Sequence, residues 1–267
     1  MNERILLFIP CYNCAPQIGR VLAQLGGPTG KRIAQTLVLD NGSSDDTIER
    51  AREAAACAVQ RPIVIGRNRQ NYHLGGSHKA AFAYADAHGF SHVIVLHGDD
   101  QGRLEDIAPV LERGDHLSHD ACLGARFMPG AELIGYSAMR RAGNAVFNLL
   151  FSLVSARSVR DLGSGLNVFS RSVITDPSIT RMSDDLRFNI YLLLGLIDGR
   201  RSLTFFPISW REEDQVTNVH LVSQSLRTLS IAGQYLARRK AFREVDHRDK
   251  PVASYHFDVI ARIGCDG

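Results

Sequence analysis

Disulfides, membrane spans and strong net charge are what this chain has too little of. Its 267 residues hold 5 cysteines, an odd set without regular spacing, which excludes a small disulfide scaffold and points to free thiols in a reducing compartment. The single Cys11-x-x-Cys14 pair lacks the second pair or the spaced histidines that a structural zinc would need. Because it follows a strand-like run and precedes a helix, a thioredoxin-like redox role stands as a rival reading, one that requires a Cys11 thiol of lowered pKa. With 9 prolines and 23 glycines the chain is neither fibrous nor low-complexity. No apolar run reaches the ~18 residues that span a bilayer, and the nearest, 145–154 and 190–197, read as core helices. The N-terminal apolar run is too short for a secretory signal and is stopped by Pro10. A net charge of +3 gives no reason to expect a nucleic-acid partner. The cytoplasm is the expected location. Peripheral contact with the inner face of the membrane is suggested by Arg140, Arg141 and Arg157 beside an apolar stripe and by Arg238, Arg239, Lys240 and Arg243 after the last helix.

What is present is ordered alternation. Strand-like runs at 4–9, 36–40, 62–66 and 92–96 alternate with helical patterns at 15–25, 46–58, 77–88 and 103–114. Such βα repetition predicts a mostly parallel sheet with helices on both faces and the strand C-termini aligned along one crevice. The second half is less regular. It predicts strands at 121–127, 165–170 and 202–210, the last on an edge because of Pro207. It predicts helices at 137–158, with Met139, Ala142, Val146, Leu150 and Leu153 on one stripe, at 184–199, stopped by Gly199, and at 219–240.

Five clusters carry chemistry. The most informative is HVIVLHGDDQ at 92–101, a buried strand that delivers Gly98, Asp99, Asp100 and Gln101 to the crevice. Adjacent carboxylates there suit a hard divalent cation, Mg²⁺ or Mn²⁺, shared with donor phosphates. Since neighbours on an extended chain face opposite ways, one of the two acids is the direct ligand. Pro10, Tyr12 and Asn13 follow the first strand, where Tyr12 could stack on a base. Asp40 ends the second strand, before a Gly42 turn, where a carboxylate could accept hydrogen bonds from a base or ribose. Gly75 and Gly76 open a helix with Lys79 in its first turn, an anion-binding arrangement. Arg126 and Arg211 could take phosphates, and Gly163, Ser164 and Gly165 leave room for a ligand against the backbone. No GxGxxG and no P-loop is present.

Taken in order, these segments resemble the family 2 glycosyltransferases of GT-A fold, in particular the dolichyl- and polyprenyl-phosphate sugar transferases and their bacterial relatives. PCYN, LDNGSSDDT, NYHLGGSHKAAFAYA, LHGDDQ, GARF, DLGSGL and WREEDQVTN are similar to that family's successive motifs. The resemblance implies an α/β fold with a Rossmann-like mixed sheet, one domain over 1–240 with a nucleotide-sugar half (1–130) and an acceptor half (131–240), and an extension at 241–267 of unassigned role. It implies that Pro10, Tyr12 and Asp40 line the base pocket, that Asp99 binds the metal, that Gln101 lies near the acceptor, and that Arg126, Ser164 and Arg211 hold phosphates. Asn13, Gly75, Lys79 and Gly98 complete the donor candidates. His97, Asn41, Cys14 and Asn218 stand where the family carries two acids, an acid and a lysine.

The implied reaction is an inverting transfer from a UDP- or GDP-sugar. Its acceptor is a polyprenyl phosphate or, alternatively, a hydroxyl deprotonated by Asp184 or Asp185. A non-catalytic nucleotide-sugar-binding protein is the further alternative.

Overall fold

The computed structural model describes residues 3–57, 62–212 and 221–264, apart from the side chains of 221–223 and 240. The first half follows the expected alternation: β1 (Ile5–Cys11), α1 (Ala15–Ala23), β2 (Ile33–Asp40), α2 (Thr47–Cys57), β3 (Ile63–Asn68), α3 (His73–Ala87) and β4 (His92–Leu96). Every residue of β1 and β4 is buried, which is why these strands read as unbroken apolar runs. Pro10 does not end β1. It is buried within the strand, and its carbonyl accepts the Gly98 N–H at 3.1 Å.

The stretch 103–114, read as one helix, is a 3₁₀ turn (Leu104–Ile107) leading into the short α4 (Ala108–Glu112), with Pro109 in its first turn. There follow α5 (Asp115–Ser118), β5 (Ala121–Ala125), β6 (Leu133–Ile134), α6 (Ala138–Ser155), β7 (Leu166–Ser170), α7 (Arg171–Ile174), α8 (Phe188–Asp198), β8 (Leu203–Pro207), β9 (Trp210–Arg211), α9 (Leu221–Arg238) and β10 (Phe257–Ile263).

Among the described residues, eight strands form one sheet in the order β10-β3-β2-β1-β4-β7-β5-β8. The β3-β2-β1-β4 block is parallel, β7 runs antiparallel between β4 and β5, and β8 lies at the edge as Pro207 predicts. α1 and α2 cover one face, while α3 and α8 cover the other.

Two further sequence expectations are corrected. β10 pairs antiparallel with β3, so the segment left without a role after residue 240 contributes a strand of the main sheet. And α6 is a core helix on one side only. It buries Asn148, Phe151, Val154 and Ser155 and packs Phe147 and Leu150 against the core, whereas Met139, Val146 and Leu153 of the apolar stripe are 66–73% exposed.

Candidate active site

The C-terminal ends of β1, β2 and β4 meet side by side. Cys11 pairs in register with Asp40, and Gly98 is tied to β1 so closely that a Cβ on it would stand 2.7 Å from the Cys11 sulfur. Asn13, at φ 51°, accepts the Ser44 N–H at 2.9 Å and donates its own N–H to the Ser43 hydroxyl, pinning the loop after β1 to the loop after β2. Tyr12 is exposed beside it, 53% accessible, as a stacking residue must be.

Asp40 is different from expectation. It is 1% exposed, and its carboxylate accepts the Gly42 and Ser43 N–H groups and pairs with Arg67 at 3.4 Å. It builds the turn and has no surface left to offer a base. Pro10, likewise buried, lines no open surface.

The acidic tip splits as strand geometry requires. Asp100 takes a left-handed φ of 57° and turns inward, where it is 3% exposed and held by Arg20 at 2.7 Å and Arg211 at 3.3 Å. Asp99 beside it is half-buried, while Asp100, Arg20 and Arg211 line a cavity of about 450 Å³. Burial, reinforced by the neighbouring Asp100, pushes the Asp99 carboxyl up to about 6. His97 stays neutral because burial, with Arg126 nearby, lowers it to about 4.

Among the described residues no three His, Cys, Asp or Glu side chains converge on one point. A lone confined carboxylate with a raised pKa still fits a Mg²⁺- or Mn²⁺-type ion, because such ions bind through one or two carboxylates and complete their shells with phosphate and water. Gln101 donates its side-chain amide to the Arg211 carbonyl at 3.2 Å, and the Arg211 N–H returns a bond to the Gln101 carbonyl at 2.9 Å. Arg211 thus braces the tip, and its described side-chain contact is with Asp100. Asn218 and the rest of 213–220 lie outside the described residues.

The predicted anion cradle at α3 is filled by protein. The Gly75 N–H donates to the Asp184 carbonyl at 2.6 Å, and Lys79, 4% exposed, donates to the Asp184 carboxylate at 2.6 Å and to the Met182 carbonyl. Lys79 is therefore an internal cation, its pKa lowered by burial against the opposing pull of Asp184. Asp184 and Asp185, the candidate bases, are both engaged. Burial pushes Asp185 up, but hydrogen bonds from Arg187 outweigh it and leave the carboxyl below its ordinary value, a poor base.

Arg126 reaches Asp161 bidentately at 2.8 Å and the Gly163 carbonyl at 3.0 Å. Ser164 is 2% exposed and donates its hydroxyl to the Leu166 carbonyl. Gly165 makes room for protein rather than for a ligand, since a Cβ there would stand 2.9 Å from the His97 ring. Arg126 also borders a cavity of about 420 Å³ between α6, α8 and α9, with Arg140 and Asn189 on its polar side and Met139, Phe147 and Leu186 on its apolar side.

The redox reading fails at Cys11. A hydrogen bond with Cys14, burial, and the charges of Asp40 and Asp99 hold its thiol well above the ordinary value, the opposite of an attacking cysteine.

Several residues of the site gave weak sequence signals. Arg67 anchors the β2 turn, Asp161 orients Arg126, and Asn68 donates to Asn41 at 2.9 Å at the ends of β3 and β2. Asp161 and Asn68 occupy strand-end or loop positions that could have been flagged. Tyr255, which donates to Asp184 at 2.7 Å, carried no signal.

A mixed α/β sheet of this order, with helices on both faces and an acidic tip at the strand ends, is the architecture of the GT-A fold. The model of the family described as Glycosyl transferase family 2 matches residues 7–176, more than half of the chain, and the protein belongs to that family. Among curated relatives it is 28% identical over 182 residues to glycosyltransferase AglJ of Haloferax volcanii, covering 67% of this chain and 54% of that one. It is 26% identical over 186 residues to an undecaprenyl-phosphate 4-deoxy-4-formamido-L-arabinose transferase of Klebsiella pneumoniae (64% and 50%). It is 24% identical over 183 residues to the UDP-N-acetylglucosamine–dolichyl-phosphate N-acetylglucosaminyltransferase of Methanococcus voltae (65% and 72%). The chain thus spans about half the length of the first two. Glucosyl-3-phosphoglycerate synthase of Mycobacterium tuberculosis, crystallised with Mn²⁺, UDP-glucose and phosphoglyceric acid, superposes with a TM-score of 0.62 at 16% identity, covering 88% of this chain and 80% of that one. At that identity the likeness is one of fold.

Proposed function

We propose that the protein transfers a sugar from a nucleotide diphosphate donor, UDP- or GDP-linked, to a polyprenyl phosphate, with inversion at the anomeric carbon. The observation that carries this is the open cavity bordered by Arg126 and Arg140, walled on one side by Met139, Phe147, Leu162, Leu186 and Ile190 and on the other by polar residues that include Gln224 and Thr228 of α9. A guanidinium at one end and a hydrocarbon-lined wall suit a phosphate with a long apolar tail. Arg126 leaves its Nη1 without a partner among the described residues.

Among the described residues, the engagement of both candidate bases points the same way. A phosphate acceptor is already anionic and needs no proton removed, whereas a hydroxyl acceptor would call on Asp184 or Asp185, and both are tied up in ion pairs. Tyr12 and the Asn13-pinned loops take the nucleotide, and Asp99 holds the ion with the donor diphosphate. Bound there, Mg²⁺ or Mn²⁺ supplies charge neutralisation for the departing nucleotide diphosphate. The acceptor oxygen approaches from the opposite side, guided by Arg126.

The outer faces of α6 and α9 fit a lipid surface. Each helix runs 18 residues without an Asp or Glu. Leu149, Leu153, Leu226 and Leu236 are exposed on them, and Arg141, Arg157 and Arg238 are exposed beside them. An apolar helix face with cations and no acid on the helix itself complements an anionic leaflet. Among the described residues no helix is long and apolar enough to cross a membrane, so the contact proposed is peripheral.

The test is transfer from radiolabelled UDP- and GDP-sugars, with and without Mn²⁺, to undecaprenyl or dolichyl phosphate in detergent, alongside soluble hydroxyl acceptors. A lipid-phosphate sugar of inverted anomeric configuration is expected. Transfer to hydroxyl acceptors alone, or nucleotide-sugar binding without turnover, would overturn the reading.

A further inference from the structure

The segment before the last described strand brings a residue against the start of α3 from beyond the family match. Before β10, the chain passes α8 and α3, with the His247 N–H on the Arg181 carbonyl at 2.7 Å and Arg69 paired with Asp258 at 2.9 Å. Between these anchors Tyr255 enters the structure, well outside residues 7–176. Its hydroxyl donates to Asp184 at 2.7 Å and accepts from Lys79 at 3.3 Å. Its ring meets the Tyr72 ring edge-on at 5.3 Å. Gly76 admits both, since a Cβ on it would stand 2.5 Å from Tyr72 and 3.1 Å from the Tyr255 ring. Tyr72 in turn donates its N–H to the Asn41 side-chain carbonyl at 2.9 Å, and that oxygen also receives Asn68. Asn41 immediately follows β2, and Asn68 ends β3.

We propose that Tyr255 is a positioning residue of the donor crevice: its ring holds Tyr72, and through Tyr72 and Asn41 it fixes the ends of β2 and β3 against which the nucleotide lies. The proposal rests on the donor reading above. Two functions separate within one side chain. The hydroxyl serves the buried Lys79–Asp184 pair and hence stability, while the ring serves the crevice and hence donor affinity.

The test is calorimetric binding of UDP and of GDP with Mn²⁺ to the full chain, with melting curves and donor KM and kcat for the same samples. Tyr255→Ala is expected to weaken nucleotide binding about tenfold, the scale of one lost aromatic contact with its ordering, raising donor KM and leaving kcat within about twofold. Tyr255→Phe keeps the ring. It is expected to melt lower than wild type yet bind nucleotide within about twofold of it. Should Tyr255→Ala not fold, Tyr255→Leu fills the volume without an aromatic edge and takes its place. Wild-type affinity in the Ala or Leu variant overturns the proposal, as does an equal loss in Tyr255→Phe. Wild-type protein that binds neither UDP nor GDP instead refutes the donor reading, and this proposal with it.

Discussion

Replacing Asp99 by asparagine should stabilise the metal-free protein while removing its grip on the donor. Asp99 has its carboxyl raised from 3.8 to about 6, chiefly by burial. At about 1.4 kcal/mol per unit, the ionised form costs the fold up to ~3 kcal/mol, and the residual solvent access of the carboxyl brings this nearer ~2 kcal/mol by screening. Asparagine keeps the shape and discards the charge. The sign follows from linkage. Stability from a protonated Asp99 is fully present below the ordinary value and is lost as pH rises through about 6. The gap between variant and wild type therefore opens from about pH 4 to 6 and is flat above that.

In chelator-treated buffer at pH 7.5, Asp99→Asn should melt roughly 4–8 °C higher than wild type, and at pH 4 the two should coincide. Adding Mn²⁺ with UDP should raise the wild-type melting temperature and leave the variant's unchanged. Calorimetric melts across pH 4–8 decide it. A variant that melts at or below wild type at pH 7.5, or a gap that ignores pH, would show that Asp99 is neither confined nor reserved for a cation.

Three further outcomes are expected. Asp184→Asn leaves Lys79 buried without a counter-charge and should lose ~3–5 kcal/mol in denaturant titration; because burial holds the Lys79 pKa below its ordinary 10.5, the deficit should shrink as pH approaches that value, and a loss below ~1 kcal/mol would contradict the pairing. In native protein at pH 8, alkylation mapped by mass spectrometry should mark exposed Cys57 and spare Cys11, and Cys11→Ala should retain transfer; rapid labelling of Cys11 would revive the redox rival. Leu149→Asp with Leu153→Asp should abolish co-sedimentation with anionic vesicles and leave melting nearly unchanged, as surface changes do, whereas undiminished sedimentation would move the lipid contact elsewhere.

The half of the molecule that follows simple periodicity was legible. β1 through β4 are apolar runs with short connections, and their order alone places Asp99 just past the C-terminal end of β4, beside the ends of β1 and β2. The side chains' partners were not legible, because they come from far along the chain: Lys79 meets Asp184 across 105 residues, and Arg211 meets Asp100 across 111. A basic residue near a helix start reads as an anion site until the acid that claims it is located.

The stripe on α6 shows a second limit. A 3.6-residue period reports that a helix has an apolar face, not what that face meets, and here the inward side is carried by Asn148, Phe151, Val154 and Ser155. β10 did carry a signal, the alternation in FDVIARI, but it was short and lay past the recognisable motifs.

The backbone at Asp100 makes two adjacent, chemically identical residues non-interchangeable. Its left-handed φ of 57° leaves one carboxylate half-buried and ties the other to Arg20 and Arg211. Asp100→Ala would keep every atom of Asp99 yet remove the acid that joins Arg20 to Arg211, so the damage would surface as a tip that wanders. Asp100→Gly would relieve the backbone while doing the same. Deleting the hidden acid and deleting the visible one should accordingly leave opposite fingerprints: scattered donor geometry with the cation still bound in the first case, and a rigid tip with no cation in the second.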